Sequence, residues 1–346
     1  MPISGELATR LIQDANSLQA LTGEWTRLWE SCERLTSFQR PEWILPWVEI
    51  FQPHTLCVVE VRRDRQLHGL APMFCYQRDG ERVLAPLGAG ITDYLDWLIH
   101  PEGATETILQ ILDCLAQWCE PWDRLDLPDL SESSLLAEHH ELPCLERVSQ
   151  QLCPALRLPE GVTDLRSAIP ERQRKNLRTA HNRIQRAGAA QIEIANPHTL
   201  PEFLDALLHL HGTRWQNFGM PGVLSDELVQ KFHERSAPAL LRAGVLRFYG
   251  LRLDGDLIAV LHTLCGRDTI YCYLQGFDPN YSFVSPGMQI IAASIEDAIR
   301  ERKRVVDFLR GSEAYKYSWG ARDRVTYRLQ ASRKDFARHC CERRAA

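Results

Sequence analysis

No apolar run in this sequence approaches the roughly 20 residues that a helix needs to cross a bilayer. The opening residues, MPISGELATRLIQDANSLQ, have neither the charged start nor the apolar core of a secretory leader. Both absences predict a cytoplasmic chain without a transmembrane segment. The 11 cysteines are an odd number, none of them forms a CxxC pair, and Cys57, Cys75, Cys265 and Cys272 fall in apolar stretches. That pattern argues for reduced core thiols and against a disulfide framework. Cys340 and Cys341 are too cramped for a metal site by themselves, and His209 and His211 are two apart, so on a helix they do not share a face. No metal site is expected. There is no GxxxxGK[ST] sequence, which argues against a P-loop, and "GAG" at 88–90 is not a full dinucleotide fingerprint.

What the sequence does hold is an ordinary globular composition over 346 residues, 45% apolar and 25% charged, a length comfortable for two domains. The net charge of -5 hides an asymmetry. Residues 1–160 carry 12 basic and 25 acidic side chains, and the remainder carries 28 and 20. The second half is therefore expected to meet an anionic partner, unless the split is only variation among solvated surfaces.

Periodicity gives the same order of elements twice. In the first half a helix is predicted over 40–51, then strands over 56–63, 67–77, 82–88 and 94–100, a helix over 104–119 and a strand over 124–130. In the second half helices over 200–217 and 226–242 precede strands over 245–253, 256–265 and 269–277, a helix over 286–302 and a strand over 305–309. "DRQLHGLA" (64–71) aligns with "DGDLIAVL" (254–261), and "RLDL" (124–127) with "VVDF" (305–308). The expected fold is α/β: a duplicated domain, divided as 1–160 and 161–346.

The junction "GFDPNYSFVSPGMQIIAASIEDAI" (276–299) carries the most chemistry. Ser285 suits an N-cap and Pro286 the first helical position. Gly287 brings no side chain to obstruct a ligand. Free backbone N–H groups and the positive end of the helix dipole would then offer a phosphate or pyrophosphate site, although Ser-Pro-Gly also opens many helices that bind nothing. The basic helix expected over 171–186, "ERQRKNLRTAHNRIQR", is either a solvated face or a grip for a nucleotide sugar, a tRNA or lipid phosphates. It has no interleaved aromatics of the kind that RNA binding favours.

From 245 onward the order of elements resembles a GCN5-related N-acetyltransferase (GNAT) core. "RQRKNLRTAHNRIQRAG" (172–188), "HLHGTRW" (209–215), "LIAVLHTL" (257–264), "YLQGFDPNYSFVSPGMQI" (273–290) and "VVDFLRGSEAYKYSW" (305–319) are similar to the two-domain acyltransferases grouped with the cellulose-biosynthesis protein CelD, relatives of the Fem aminoacyltransferases. In the first half "FQRPEWILPWVEIF" (38–51) and "ITDYLDW" (91–97) carry a looser likeness. The common GNAT loop pattern, Gln or Arg, two residues, Gly, any residue, then Gly or Ala, is missing; "FVSPGM" stands in its place.

The resemblance implies two tandem GNAT-like domains, with mixed central sheets flanked by helices. It implies acetyl-CoA or another acyl-CoA as co-substrate, with no metal, and an amine or hydroxyl on a small-molecule or glycan-precursor acceptor. DNA is not expected, and tRNA only under a Fem-like alternative; a catalytically silent scaffold is the other rival. The acyl-CoA would lie on Ser285, Gly287, Met288, Gln289 and Arg310 of the second domain. Tyr315, with Tyr317 as rival, would protonate the departing thiolate. Asp307 would orient Arg310 or Lys316, deprotonate the nucleophile, or serve only as a structural acid. The acceptor, in a groove between the domains, would meet Asp93, Tyr94, Asp96, His211, Arg214, Trp215, His262, Asp278 and Lys316.

Overall fold

The computed structural model describes residues 6–138, 145–217 and 222–345. The chain forms two compact units. The first runs up to Gln151 and regains the chain from Val325 onward; the second is Leu152–Arg324. The expected division at 160/161 left the final segment in the second domain, whereas the last strand and helix return to the first unit. Among the described residues no helix is long and apolar enough to cross a membrane.

The first unit contains β1 (Leu7–Ile12), β2 (Thr55–Arg63), β3 (Gln66–Arg78), β4 (Glu81–Pro86), β5 (Leu98–Ile99), β6 (Arg124–Leu130) and β7 (Glu146–Leu152). The second contains β8 (Ala155–Arg157), β9 (Ala190–Ile194), β10 (Leu246–Leu253), β11 (Asp256–Cys265), β12 (Thr269–Phe277) and β13 (Val305–Asp307); β14 (Val325–Ser332) belongs to the first. The first sheet has the order β1-β2-β3-β4-β6-β14-β7, with β5 added on β3; the second has the order β8-β13-β12-β11-β10-β9.

Both sheets are mixed in the same way. An antiparallel meander (β2-β3-β4, and β10-β11-β12) is followed by a helix and then by a strand parallel to the last of the three (β6 on β4, β13 on β12). The crossover helix buries one face in each unit. Ile108, Ile111, Leu112 and Leu115 of helix Ala104–Gln117 enter the first core, and Ile290, Ile291, Ile295 and Ala298 of helix Pro286–Arg300 the second, at the i, i+3, i+4 spacing of an amphipathic helix.

The duplication extends to a single irregularity. The β2–β3 and β10–β11 hairpins turn through left-handed residues (Asp64 and Arg65, Asp254 and Gly255), as two-residue hairpin loops require. Each also shifts register just ahead of the turn, between Val61 and Arg62 and between Leu251 and Arg252. At both bulges the arginine does the same work. Arg62 clamps Glu24 with two bonds of 2.7 and 3.0 Å and donates to the Arg65 carbonyl. Arg252 clamps Glu202 at 2.8 and 2.6 Å and donates to the Gly255 carbonyl. A bidentate arginine–carboxylate pair ties hairpin to helix in both places.

Two predicted strands are shorter than expected. Only Leu98–Ile99 of 94–100 pairs, because the backbone before it is committed elsewhere: the Tyr94 carbonyl accepts from Gln39 and the Leu95 N–H donates to Asp129. The strand over 305–309 ends at Asp307, because Leu309 adopts φ 58°.

Candidate functional site

Strand β13 accompanies β12 for three residues only, Thr269–Tyr271 opposite Val305–Asp307. Beyond Tyr271 strand β12 runs on to Phe277 while the chain leaves β13, so among the described residues β13 pairs with none of Cys272–Phe277. A cavity of about 330 Å³ lies beside this stretch. Its wall takes Gln275 and Phe277 from β12, Ser285–Met288 and Ile291 from the helix that follows, and Tyr315 and Trp319 from the short helix Ala314–Ser318 and its cap. The lining joins apolar surface to a few polar groups, and the volume is at the lower end of small-molecule sites, about 300–1,000 Å³.

Helix Pro286–Arg300 begins as expected, with one difference. Ser285 occupies the N-cap in the left-handed region (φ 52°), and its side chain makes no cap hydrogen bond. Its carbonyl instead takes the N–H groups of Met288 and Gln289 at 3.1 and 3.3 Å. Pro286 has no N–H, so among the described residues the Gly287 N–H is the first-turn donor left open to the cavity. Gly287 is also the point of closest approach: a Cβ there would stand 2.3 Å from Nε2 of Gln275. The Gln289 side chain donates to the Val284 carbonyl at 2.8 Å, which fastens the loop before the helix and keeps Gln289 off the cavity wall.

The segment after β13 is built around one buried ammonium. Lys316, expected to hold a phosphate or substrate carboxylate, is 2% exposed. Its Nζ donates to the carbonyls of Leu309, Arg310 and Gly311 at 3.1, 2.6 and 3.0 Å and pairs with Glu313 at 2.9 Å. With its donors spent on the turn, it positions the helix carrying Tyr315; it does not face the cavity. Asp307 is fully buried, accepts from the Leu309 N–H at 2.8 Å and faces Arg324 at 3.5 Å. It thereby supports the same left-handed turn, with Arg324 as a neighbouring cation. Arg310 likewise stays off the cavity wall.

The two candidate tyrosines separate. Tyr315 is 37% exposed on the cavity wall. Tyr317 donates its hydroxyl to Asp323 at 2.6 Å, and that carboxylate holds the phenol above its ordinary value. Desolvation pushes the Cys272 thiol on β12 up to about 12, which removes the thiolate that a covalent relay would need.

The expected acceptor residues do not all meet. Asp278 caps the turn Pro279–Val284 by accepting from the Asn280 N–H. His262 is fully buried among Phe248, His233 and Tyr273, and burial lowers its pKa to about 3. It is a neutral core histidine away from the cavity wall, and His211 is also buried. The side chains of Arg214 and Trp215 lie outside the described residues. In the first unit Asp93 and Tyr94 are buried, while Asp96 lines a second cavity of about 240 Å³ with Cys32, Arg34, Trp97 and Leu135. Desolvation raises the Asp96 carboxyl to about 7, against the opposing hydrogen bonds from Ser134 and the Trp97 N–H. Gln173, Gln275, Phe277 and Ile291 escaped the sequence reading as wall residues; that β12 pairs with only three residues of β13 has no local signature.

A family profile described as "Acetyltransferase (GNAT) domain" matches residues 171–317, within the second unit. No curated protein matches the chain at a significant level. Among solved structures, FemX superposes with a TM-score of 0.66 at 11% identity, over 89% of this chain and 95% of that one. The C-terminal domain of a putative lysylphosphatidylglycerol synthetase from Agrobacterium fabrum gives 0.57 at 12% identity, over 92% and 93%. A tandem GNAT protein from the clavulanic acid biosynthesis pathway gives 0.50 at 13% identity, over 95% and 99%. At these identities the likeness is one of fold. The fold is therefore two tandem GNAT-like domains, of the kind that GNAT-type transferases use.

Proposed function

We propose that the protein transfers an acyl group from acetyl-CoA or another acyl-CoA to an amine or hydroxyl of a small-molecule or glycan-precursor acceptor in the cytoplasm. The observation that carries this reading is the cavity between the part of β12 beyond its β13 pairing and the start of helix Pro286–Arg300, with the Gly287 N–H open to it. The fit to the co-substrate is physical. Beyond its pairing with β13, strand β12 would lie along an extended amide-bearing arm, Phe277, Met288 and Ile291 offer apolar contact, and the helix start suits a pyrophosphate. The bound co-substrate would supply an activated thioester.

The chain's own groups would do the rest. A backbone N–H of β12 would polarise the thioester carbonyl, the attacking amine or hydroxyl would form the new acyl bond and lose its proton to water, and Tyr315 would give its proton to the departing sulfur as the carbon–sulfur bond breaks, regaining one from solvent. Asp307 and Lys316 would act by fixing the turn that carries Tyr315. The second domain would be the acyl-CoA side and the first the acceptor side, with Asp96 in its cavity. The quoted segments favour the CelD-like group within this fold. The superposition on FemX supports a second reading, aminoacyl transfer from charged tRNA, which RNase sensitivity of the activity would separate from the first.

Calorimetric titration with CoA tests the cradle. In Gly287→Glu, bulk and negative charge replace the open approach to the helix start. We expect affinity to fall by at least about tenfold, roughly 1.4 kcal/mol, with the fold kept. Unchanged affinity would remove the cradle from this helix.

A further inference from the structure

A basic helix and an exposed aromatic loop share one surface of the second unit. Helix Glu171–Ala187 buries Gln173, Ala180 and Ile184. Away from that face Arg172, Lys175, Arg183 and Arg186 are exposed. They fall at i, i+3, i+11 and i+14, a single stripe on a helix of 3.6 residues per turn. The helix's one acid, Glu171, is paired with Lys175 at 2.8 Å, so the stripe stays strongly positive.

The helix packs beside the turn Pro279–Val284, and Arg183 donates to the Phe283 carbonyl at 3.3 Å. Phe283 is 53% exposed, the most exposed of the large hydrophobic side chains among the described residues. Tyr281 stacks behind it, with ring centroids 6.5 Å apart and planes at 26°. The turn is anchored below by the Asp278 cap and by Val284, which is fully buried. A phenyl ring is thus held out to water beside a line of arginines, although burying it in the core would be favourable.

We propose that this surface docks on an anionic phospholipid bilayer, with Phe283 entering the interfacial region and Arg172, Arg183 and Arg186 meeting lipid phosphates. An aromatic ring flanked by basic residues is matched to the boundary between headgroups and acyl chains. The excess of positive charge in the second half of the chain complements the negative surface potential of such a bilayer. A nucleic acid is the less favoured occupant: Phe283 and Tyr281 already stack on each other, so the patch presents one aromatic face and no series of platforms for successive bases. Ser282 of the same turn lines the cavity, so docking would bring the cavity's rim to the membrane surface, where an acceptor carried by a lipid would be met. The docking itself does not depend on the acyl-transfer reading.

The test is co-sedimentation of the full chain with vesicles of phosphatidylcholine mixed with phosphatidylglycerol, and with vesicles of phosphatidylcholine alone. We expect binding to the mixed vesicles at low salt and little to the neutral ones. Phe283→Ser, and separately the pair Arg183→Glu with Arg186→Glu, should each cut binding by about tenfold. These positions are exposed, so melting temperature should hold. Equal sedimentation with both vesicle types, or full binding by both variants, overturns the proposal. So does gel-shift binding of a short RNA that outcompetes the mixed vesicles and is lost in the same variants, which would assign the surface to nucleic acid.

Discussion

Tyr315 and Tyr317 are two residues apart on one short helix, and their hydroxyls have different surroundings. Asp323 occupies the Tyr317 hydroxyl, while Tyr315 stands on the cavity wall. If Tyr315 protonates the departing sulfur, Tyr315→Phe should lower kcat about 10²-fold and leave CoA affinity nearly unchanged, because the bond matters in the transition state. Tyr317→Phe should cost far less. Steady-state kinetics with any acceptor that supports turnover would decide it; full activity in Tyr315→Phe would move the acid elsewhere. Nothing in the local sequence separates the two, since the difference lies in which neighbour folds back.

At the scale of the element, the turn from Leu309 to Gly311 is held by a lysine and not by a ligand. Three carbonyls converge on the Lys316 ammonium, with Leu309 and Gly311 both left-handed. Lys316→Met keeps the length of the side chain and leaves those carbonyls and Glu313 without their cation. Each buried group deprived of its partner costs about 1–3 kcal/mol. We expect the variant to lose about 2–4 kcal/mol in chemical denaturation, read as a lower midpoint at unchanged slope. A midpoint equal to wild type would show that the ammonium is dispensable to the turn. The starting helix was easier to foresee: Ser285-Pro286-Gly287 punctuates it, and Ile290, Ile291 and Ile295 mark its buried face. Free N–H groups were expected at its start; that Gly287's is the one left was not, because it depends on the Ser285 carbonyl taking those of Met288 and Gln289.

At the scale of the whole molecule, Asp96 predicts a pH dependence of stability. Desolvation lifts its folded carboxyl to about 7, above the ordinary carboxylate range, so the folded state binds the proton more tightly than the unfolded state. Stability from this group is fully present below pH 4 and is lost as pH rises through about 7. Asp96→Asn should therefore melt above wild type at pH 8, by at least about 3 °C, and the difference should shrink towards pH 5. Thermal melts across that range measure it; parallel curves for the two proteins would mean that Asp96 titrates normally. His262 works in the opposite sense at acid pH, since its neutral form is the buried one.

The sequence by itself determined the α/β class, the duplicated order of elements and the extents of the two meanders and their crossover helices to within a few residues. Those features rest on local periodicity and on punctuation such as Ser285-Pro286-Gly287. Only the tertiary structure decided that β14 returns to the first sheet, that β13 leaves β12 after three residues, and that Lys316 faces carbonyls and not the cavity. The physical reason is the same in each case. A strand's partner and a buried cation's neighbours come from distant parts of the chain, or from a turn whose handedness the sequence does not announce. Periodicity records which face of an element is buried, and carries no information on what it is buried against.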